Sequence, residues 1–288
     1  ARLLPSPRIR FGDVVIGAME TPLARIGRFE LDIEAAPLLK GDVRISEMRF
    51  ERPVVEIAID AEGRPRLPAR AADARDPGSV AIDQLEIAEG RLVVTDARSG
   101  GRFELARIAA VGSAASLAGP WRLDGAGLGG GRDLSFHLGG GRTAEGGAVK
   151  LHLSPGDDPA TLTADLVWKD GAGLIGKVVA ERRGAEGGDG LAGALATWRA
   201  EAQIAGDARA IEASGVTLAL GPEERAAQFT GQGRVTFGAE PGFELTLAAR
   251  QIELDRLIAG EVWRTAVPMA VAETGLGLLA GAGTAAIP

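Results

Sequence analysis

Apolar and polar residues alternate in short runs along most of the chain. Phe29, Leu31 and Ile33 are set against Glu30 and Asp32, Val55, Ile57 and Ile59 against Glu56 and Asp60, and Phe243, Leu245 and Leu247 against Glu244 and Thr246. A period of two is the signature of a β-strand with one wet face. The same pattern predicts strands at Val14 to Ile16, Arg91 to Thr95, Phe103 to Ile108, Leu134 to Leu138, Ala148 to Leu153, Leu162 to Trp168, Leu174 to Ala180, Ala200 to Ile204, Ala210 to Leu220 and Ala226 to Phe237. Nearly all are of antiparallel type. Helical signals are short: Pro22 to Ile26, Ala36 to Lys40, and Asp255 to Ala282, the last interrupted by Pro268 and several glycines. A loop is expected from Pro68 to Ser79, with Gly-rich turns at Gly129 to Gly131 and Gly184 to Gly190.

The stretch "GDVRISEMRFERPVVEIAIDAEGR", Gly41 to Arg64, reads as two amphipathic strands around a turn. Laid over "GSVAIDQLEIAEGRLVVTDA" at an offset of 37 residues, it shows an internal repeat. Val43 falls on Val80, Ile45 on Ile82, Met48 on Leu85, Phe50 on Ile87, Val55 on Leu92 and Ile57 on Val94, and Pro53 coincides with Gly90 as a turn residue. A shortened form, Ile26 with Phe29, Leu31 and Ile33, precedes both copies. The three-residue steps Ile45 to Met48 and Ile82 to Leu85 break the alternation as a β-bulge would, keeping both flanks on one face. Self-similar units of this size predict hairpins stacked side by side into one laterally growing sheet.

Composition narrows the class of protein. At 288 residues and 45% hydrophobic content the chain is long and apolar enough to bury surface, which argues against disorder. Aromatics are only 4%, Tyr is absent and Gly reaches 42, so the apolar mass is mainly Ala, Leu, Ile and Val. A net charge of −7 with interspersed basic residues argues against nucleic acid, whose partners carry a basic stripe. Without Cys there is no disulfide framework or thiolate metal site, and cysteine usage leaves the compartment open. No apolar run of about 18 residues marks a membrane span. A chain that opens on Ala1 suggests a mature chain or an excised fragment, with a signal or anchor lost upstream.

Candidate chemistry is sparse. "GLGGGR" at Gly127 to Arg132 and "GGGR" at Gly139 to Arg142 lack the GK[ST] and the helix N-terminus that a phosphate loop needs, so both read as hairpin turns. His137 and His152, the only histidines, sit in alternating strands with no carboxylate spaced as a third metal ligand, and read as solvated strand residues. "SPGDDPA", with Asp157 and Asp158, lacks the alternating oxygen ligands of a calcium loop and reads as a turn. No pair of carboxylates is marked out for glycoside chemistry. The expectation is a non-enzyme with no catalytic residue, no metal site and no cofactor.

Specific phrases carry a family resemblance. "APLLKGDVRISEMRFERPVVEIAIDAEGR" resembles the AsmA-family phrase in which a PLL-x-G turn feeds an I-x-x-[LM]-x-[apolar]-x-x-P strand pair ending in a G-R turn. "IDQLEIAEGRLVVTDARSG" is similar to the family's second hairpin, "SLAGPWRLDG" (Ser116 to Gly125) to the phrase that follows it, and "ARQIELDRLIAG" to its L-D-x-D-R-type segment. The match covers about Gly12 to Gly260. The resemblance implies a periplasmic protein of Gram-negative bacteria, anchored to the inner membrane by an N-terminal helix missing from this chain. It also implies an extended, twisted β-sheet curled into an apolar groove that moves phospholipid toward the outer membrane and supports outer-membrane assembly.

The fold expected is therefore mainly β, an extended, twisted antiparallel sheet curled into an open apolar groove with a few short helices at its ends. Residues 1–260 would form the groove, as the N-terminal half of a longer protein, and residues 261–288 a helical or linker segment. Phospholipid acyl chains are the expected partner, with further envelope proteins and no nucleic acid. The candidate lining is Phe29, Leu31, Ile33, Val43, Ile45, Met48, Phe50, Val55, Ile57, Ile59, Ile82, Leu85, Ile87, Leu92 and Val94. The competing expectation is a non-catalytic β-sandwich that recruits envelope proteins, its apolar face buried against a second sheet. A periplasmic hydrolase would need a pocket with convergent polar groups.

Overall fold

The computed structural model describes residues 7–38, 42–66, 80–144, 146–169, 173–184, 196–207, 209–221, 226–238 and 240–251. Alternation translates directly into strands: β1 (Arg8–Ala18), β2 (Thr21–Ile33), β3 (Val43–Ile59), β4 (Val80–Asp96), β5 (Arg102–Ala114), β6 (Trp121–Gly129) and β7 (Arg132–Thr143). They are followed by β8 (Gly146–Pro155), β9 (Ala160–Lys169), β10 (Gly173–Arg182), β11 (Trp198–Gly206), β12 (Ala210–Leu220), β13 (Ala227–Thr236) and β14 (Gly242–Gln251). All fourteen join one sheet in sequence order, with β1 and β14 as its edges. Every pair of neighbours is antiparallel except β3 and β4. Extensive contacts link successive strands and no others, so the described sheet is a single open layer and not a sandwich.

The repeat has a different meaning from the one its pattern suggests. β3 and β4 each run 17 residues without turning, through Pro53 and Gly90. They lie side by side in parallel, Val43 opposite Val80 and Ile57 opposite Val94. The 37-residue offset is thus the register of two neighbouring strands, and each copy is one strand instead of a hairpin. A parallel pair needs a crossover connection; here it spans residues 60–79, of which 67–79 lie outside the described residues.

What looked like a turn is a kink. Arg52 and Glu89 adopt left-handed backbone angles, φ 50° and 55°, as do Asp13 in β1 (52°) and Arg107 in β5 (51°). Phe50 to Val55 and Ile87 to Leu92 are both five residues apart, an odd step that a left-handed residue absorbs by interrupting the two-residue alternation. Pro53, which has no N–H to give the ladder, is tolerated inside β3 beside this irregularity. The three-residue steps are bulges as expected: the β2–β3 register shifts beside Ile45, and the β4–β5 register shifts between Ile82 and Leu85.

Two local expectations need correction. Pro22 to Ile26 lies inside β2, with Ala24 paired to Ile16 on one side and Val55 on the other, so strand pairing on both edges overrides the weak helical signal. Gly139 to Arg142 is not a turn but part of β7. A Cβ at Gly140 would lie 2.8 Å from the Trp121 ring, so the glycine makes room for an aromatic on the neighbouring strand. For a similar reason β6 carries no run of bulky alternation: a Cβ at Gly125 would meet Ala110 at 2.6 Å and Phe136 at 2.7 Å. The turn at Gly129 to Gly131 is real. Gly130 and Gly131 have φ of 57° and 79°, the two positive values a two-residue hairpin turn with right-handed twist requires.

The expected helix at Ala36 to Lys40 is seen as the single turn α1 (Ala35–Leu38). The Pro68 to Ser79 loop, the greater part of Gly184 to Gly190, the Asp255 to Ala282 helix and the 261–288 segment lie outside the described residues.

Candidate functional site

Cross-strand partners share a face of the sheet, so the register itself defines the surface. One row crosses every strand: Phe11, Phe29, Phe50, Ile87, Ala110, Gly125, Phe136, Leu153, Leu162, Ala180, Ala200, Leu218, Phe229 and Ala249. It contains no polar side chain. Two further rows run parallel to it, one after the other on the same side. Ile9, Leu31, Met48, Leu85, Gly112, Leu123, Leu138, Leu151, Ala164, Val178 and Ala202 form one across β1 to β11. Ile33, Ile45, Ile82, Ala114, Trp121, Gly140, Val149, Leu166, Gly176, Ile204, Ala213, Gly233 and Leu245 form the other across β2 to β14.

One residue along each strand, the opposite face carries Arg10, Glu30, Arg49, Glu86, Val111, Asp124, His137, His152, Thr163, Val179, Glu201, Thr217, Thr230 and Ala248 in the same order. Ion pairs lace this face across strands: Arg10–Glu30 at 3.0 Å, Arg49–Glu86 at 2.6 Å and Lys177–Glu201 at 2.6 Å. The Lys177 hydrogen bond, helped by Arg199, holds the Glu201 carboxyl below its ordinary range. These pairs are exposed and each contributes little to stability, but they make the face wet.

Buried side chains cluster on the apolar face. Ile45, Ile82, Phe136, Leu162 and Leu218 are only 5 to 8% exposed, although the described strands form no second layer over them. On the other face Lys150 is 80% and Arg10 63% exposed. At the β1 edge the rings of Phe11, Phe29 and Phe50 stack in succession, with centroids 5.8 and 4.9 Å apart. Thirteen inter-strand steps of about 4.8 Å make the apolar track roughly 62 Å long.

Of the lining expected from sequence, Phe29, Leu31, Ile33, Ile45, Met48, Phe50, Ile82, Leu85 and Ile87 fall in these three rows. Val43 pairs with Val80 at the strand starts. Val55 and Leu92 belong to a shorter row beyond the kink, with Ala24, Leu105 and Gly129, and Ile57 and Val94 align with Phe103. Ile59 does not join an apolar row: its partner is Asp96, and Pro65 bridges to it. The face from β6 onward, from Leu123 through Phe136, Leu153 and Leu162 to Phe229, was missed as lining. Its signal was present as alternation, but only the cross-strand register aligns it with the first half.

Turns between strands reuse one device, an aspartate that accepts backbone N–H groups two or more residues on. Asp60 accepts from Glu62 and Arg64, Asp96 from Arg98, and Asp207 from Arg209 and Ala210. All three carboxyls are held below the ordinary carboxylate range, Asp60 chiefly by the Arg64 N–H, Asp96 by the Arg98 guanidinium and Asp207 by the Arg209 N–H. A lowered folded-state pKa contributes stability that is present above the unfolded value of about 3.9 and is lost as pH falls through the folded one. The melting temperature is therefore expected to hold from about pH 7 to pH 5 and to drop below about pH 4. Asp96→Asn should flatten part of that drop in a pH series of thermal melts; an unchanged slope would contradict it.

Among the described residues, no polar or charged residue is buried, and no group of three or more His, Asp or Glu side chains is arranged to hold a metal ion. No helix among them is long and apolar enough to cross a membrane. Fold and face together define, among the described residues, a single-layer, open β-sheet with one continuous apolar face and one charged face. The chain matches no family model and no curated protein, and its fold matches no solved structure, at the significance such comparisons require.

Proposed function

We propose that this chain is an AsmA-like lipid-binding or lipid-conducting β-groove, whose apolar face contacts phospholipid acyl chains between the inner and outer membranes. The observation that carries the reading is the unbroken apolar row across all fourteen strands, over which the described residues form no second layer. An apolar face of that extent left in water is a liability, and a ligand with long hydrocarbon chains removes it. An acyl chain reaches about half of the roughly 30 Å bilayer core, so a track of roughly 62 Å accommodates several chains in succession. The rows run across the strands, which gives a hydrocarbon tail a path with no polar step. Periplasmic location, an inner-membrane anchor outside this sequence and a role in outer-membrane assembly are the parts of the proposal that rest on the motif resemblance. An envelope scaffold built as a β-sandwich has less support, because the described sheet has no packed second layer.

The test is organic extraction of the protein purified from a Gram-negative host, followed by mass spectrometry. Phospholipid is expected at a fixed ratio to protein. Phe50→Asp, in the most continuous row, should lower that ratio at least several-fold while circular dichroism shows an intact sheet. A lipid-free parent protein, or equal recovery from parent and variant, would sink the proposal.

A further inference from the structure

We propose that His137 and His152, on the charged face, form a two-histidine binding site for a divalent transition metal such as Zn²⁺. The histidines, 15 positions apart in sequence, are direct partners in the β7–β8 ladder. Their ring centroids lie 5.9 Å apart. A zinc–nitrogen bond of about 2.0–2.1 Å, plus roughly 1.2 Å from ring nitrogen to ring centre, places two rings on one ion about 5–6.5 Å apart. The observed separation falls in that window without backbone movement.

The orientation of the rings supports the same conclusion. His137 Nδ1 lies 2.9 Å from Asp124 Oδ1 on β6, and His152 Nδ1 lies 3.1 Å from Thr163 Oγ1 on β9. The two Nδ1 atoms are thus held toward opposite outer strands. With both Nδ1 atoms engaged by the outer strands, Nε2 is the ring nitrogen each histidine has left for a metal, and the two rings lie within 29° of parallel. A carboxylate or hydroxyl on the far nitrogen is the outer-shell arrangement that fixes tautomer and aim in metal-binding histidines. Ser154 Oγ, 3.3 Å from His152 Nε2, is the contact a metal would replace. His137 is 62% exposed, so water can complete the coordination shell. An ion here would clip two neighbouring strands at the middle of the sheet, on the face away from the apolar track.

The chain has no cysteine and no third histidine, which makes the experiment clean. Zn²⁺ is titrated by calorimetry into the metal-free full chain and into His137→Ala and His152→Ala. Saturable binding of one ion per chain is expected, weakened at least tenfold by either substitution. Asp124→Asn should weaken it by about tenfold through loss of aim, the usual size of an outer-shell effect. Saturating Zn²⁺ should also raise the melting temperature of the parent and leave both alanine variants unmoved. Absence of binding by the parent, or binding weakened less than tenfold in either alanine variant, overturns the proposal. Lipid recovery is read on the opposite face, so this result and the groove result fail independently.

Discussion

Leu162→Asp is expected to destabilise the protein by about 3 kcal/mol or more and to strip it of phospholipid, whereas Thr163→Asp, one residue on, is expected to cost less than about 1 kcal/mol and leave lipid recovery intact. The contrast follows from the two-residue period of a strand. Leu162 sits in the fourteen-strand apolar row between Leu153 and Ala180 and is 8% exposed. Thr163 sits between His152 and Val179 on the wet face. Replacing the leucine forfeits about 1.5–3 kcal/mol of hydrophobic burial and adds a carboxylate with no partner in the rows around it. Replacing the threonine trades one solvated group for another, at most the modest strand preference against Asp. Chemical denaturation of both variants, with lipid extraction alongside, measures the pair. Similar losses in the two would mean that the apolar face is not the privileged one and would undo the assignment of faces.

Local chemistry and long-range alignment were legible to different degrees. Most strands could be read from alternation because each carries its own wet and dry sides, as in Phe29 to Ile33 or Phe243 to Leu247. β6 could not, since Gly125 and Gly127 hold places where neighbouring side chains fill the space, and a glycine has no hydropathy to read. The repeat was legible as similarity but not as geometry. An offset of 37 fits two hairpins and two parallel strands equally well until the left-handed angle at Arg52 shows that the chain bends at Pro53 without reversing. The candidate surface was half legible for a related reason. Residues such as Leu153 and Phe229 announce an apolar face, but membership in one track depends on thirteen registers, each set by turns and bulges elsewhere. The histidines show the same limit: sequence placed each on a strand, and only pairing brought them together.

A sheet in which the extensive contacts of each described strand are with its neighbours should fail locally, and Trp198→Ala is where that failure is expected to be largest. Trp198 is 3% exposed and packs in the best-buried cluster of the protein, with Leu218, Leu220 and Ala227, flanked by Ala180, Ala200, Phe229 and Leu247. Removing a buried Trp side chain typically costs about 3–5 kcal/mol through lost contacts and the cavity left behind. Backbone shift cannot easily refill this space, since β11 is held in register by β10 on one side and β12 on the other. In an architecture whose stability is approximately a sum of nearest-neighbour terms, the loss stays near its origin. Hydrogen exchange should therefore accelerate in β10 to β13 while β2 to β4, seven or more strands from β11, keep their protection. Acceleration spread evenly from β1 to β14 would show one global cooperative unit instead. The distinction bears on the proposed groove, because a sheet that opens strand by strand can admit a bulky lipid at one place without losing the apolar track beside it.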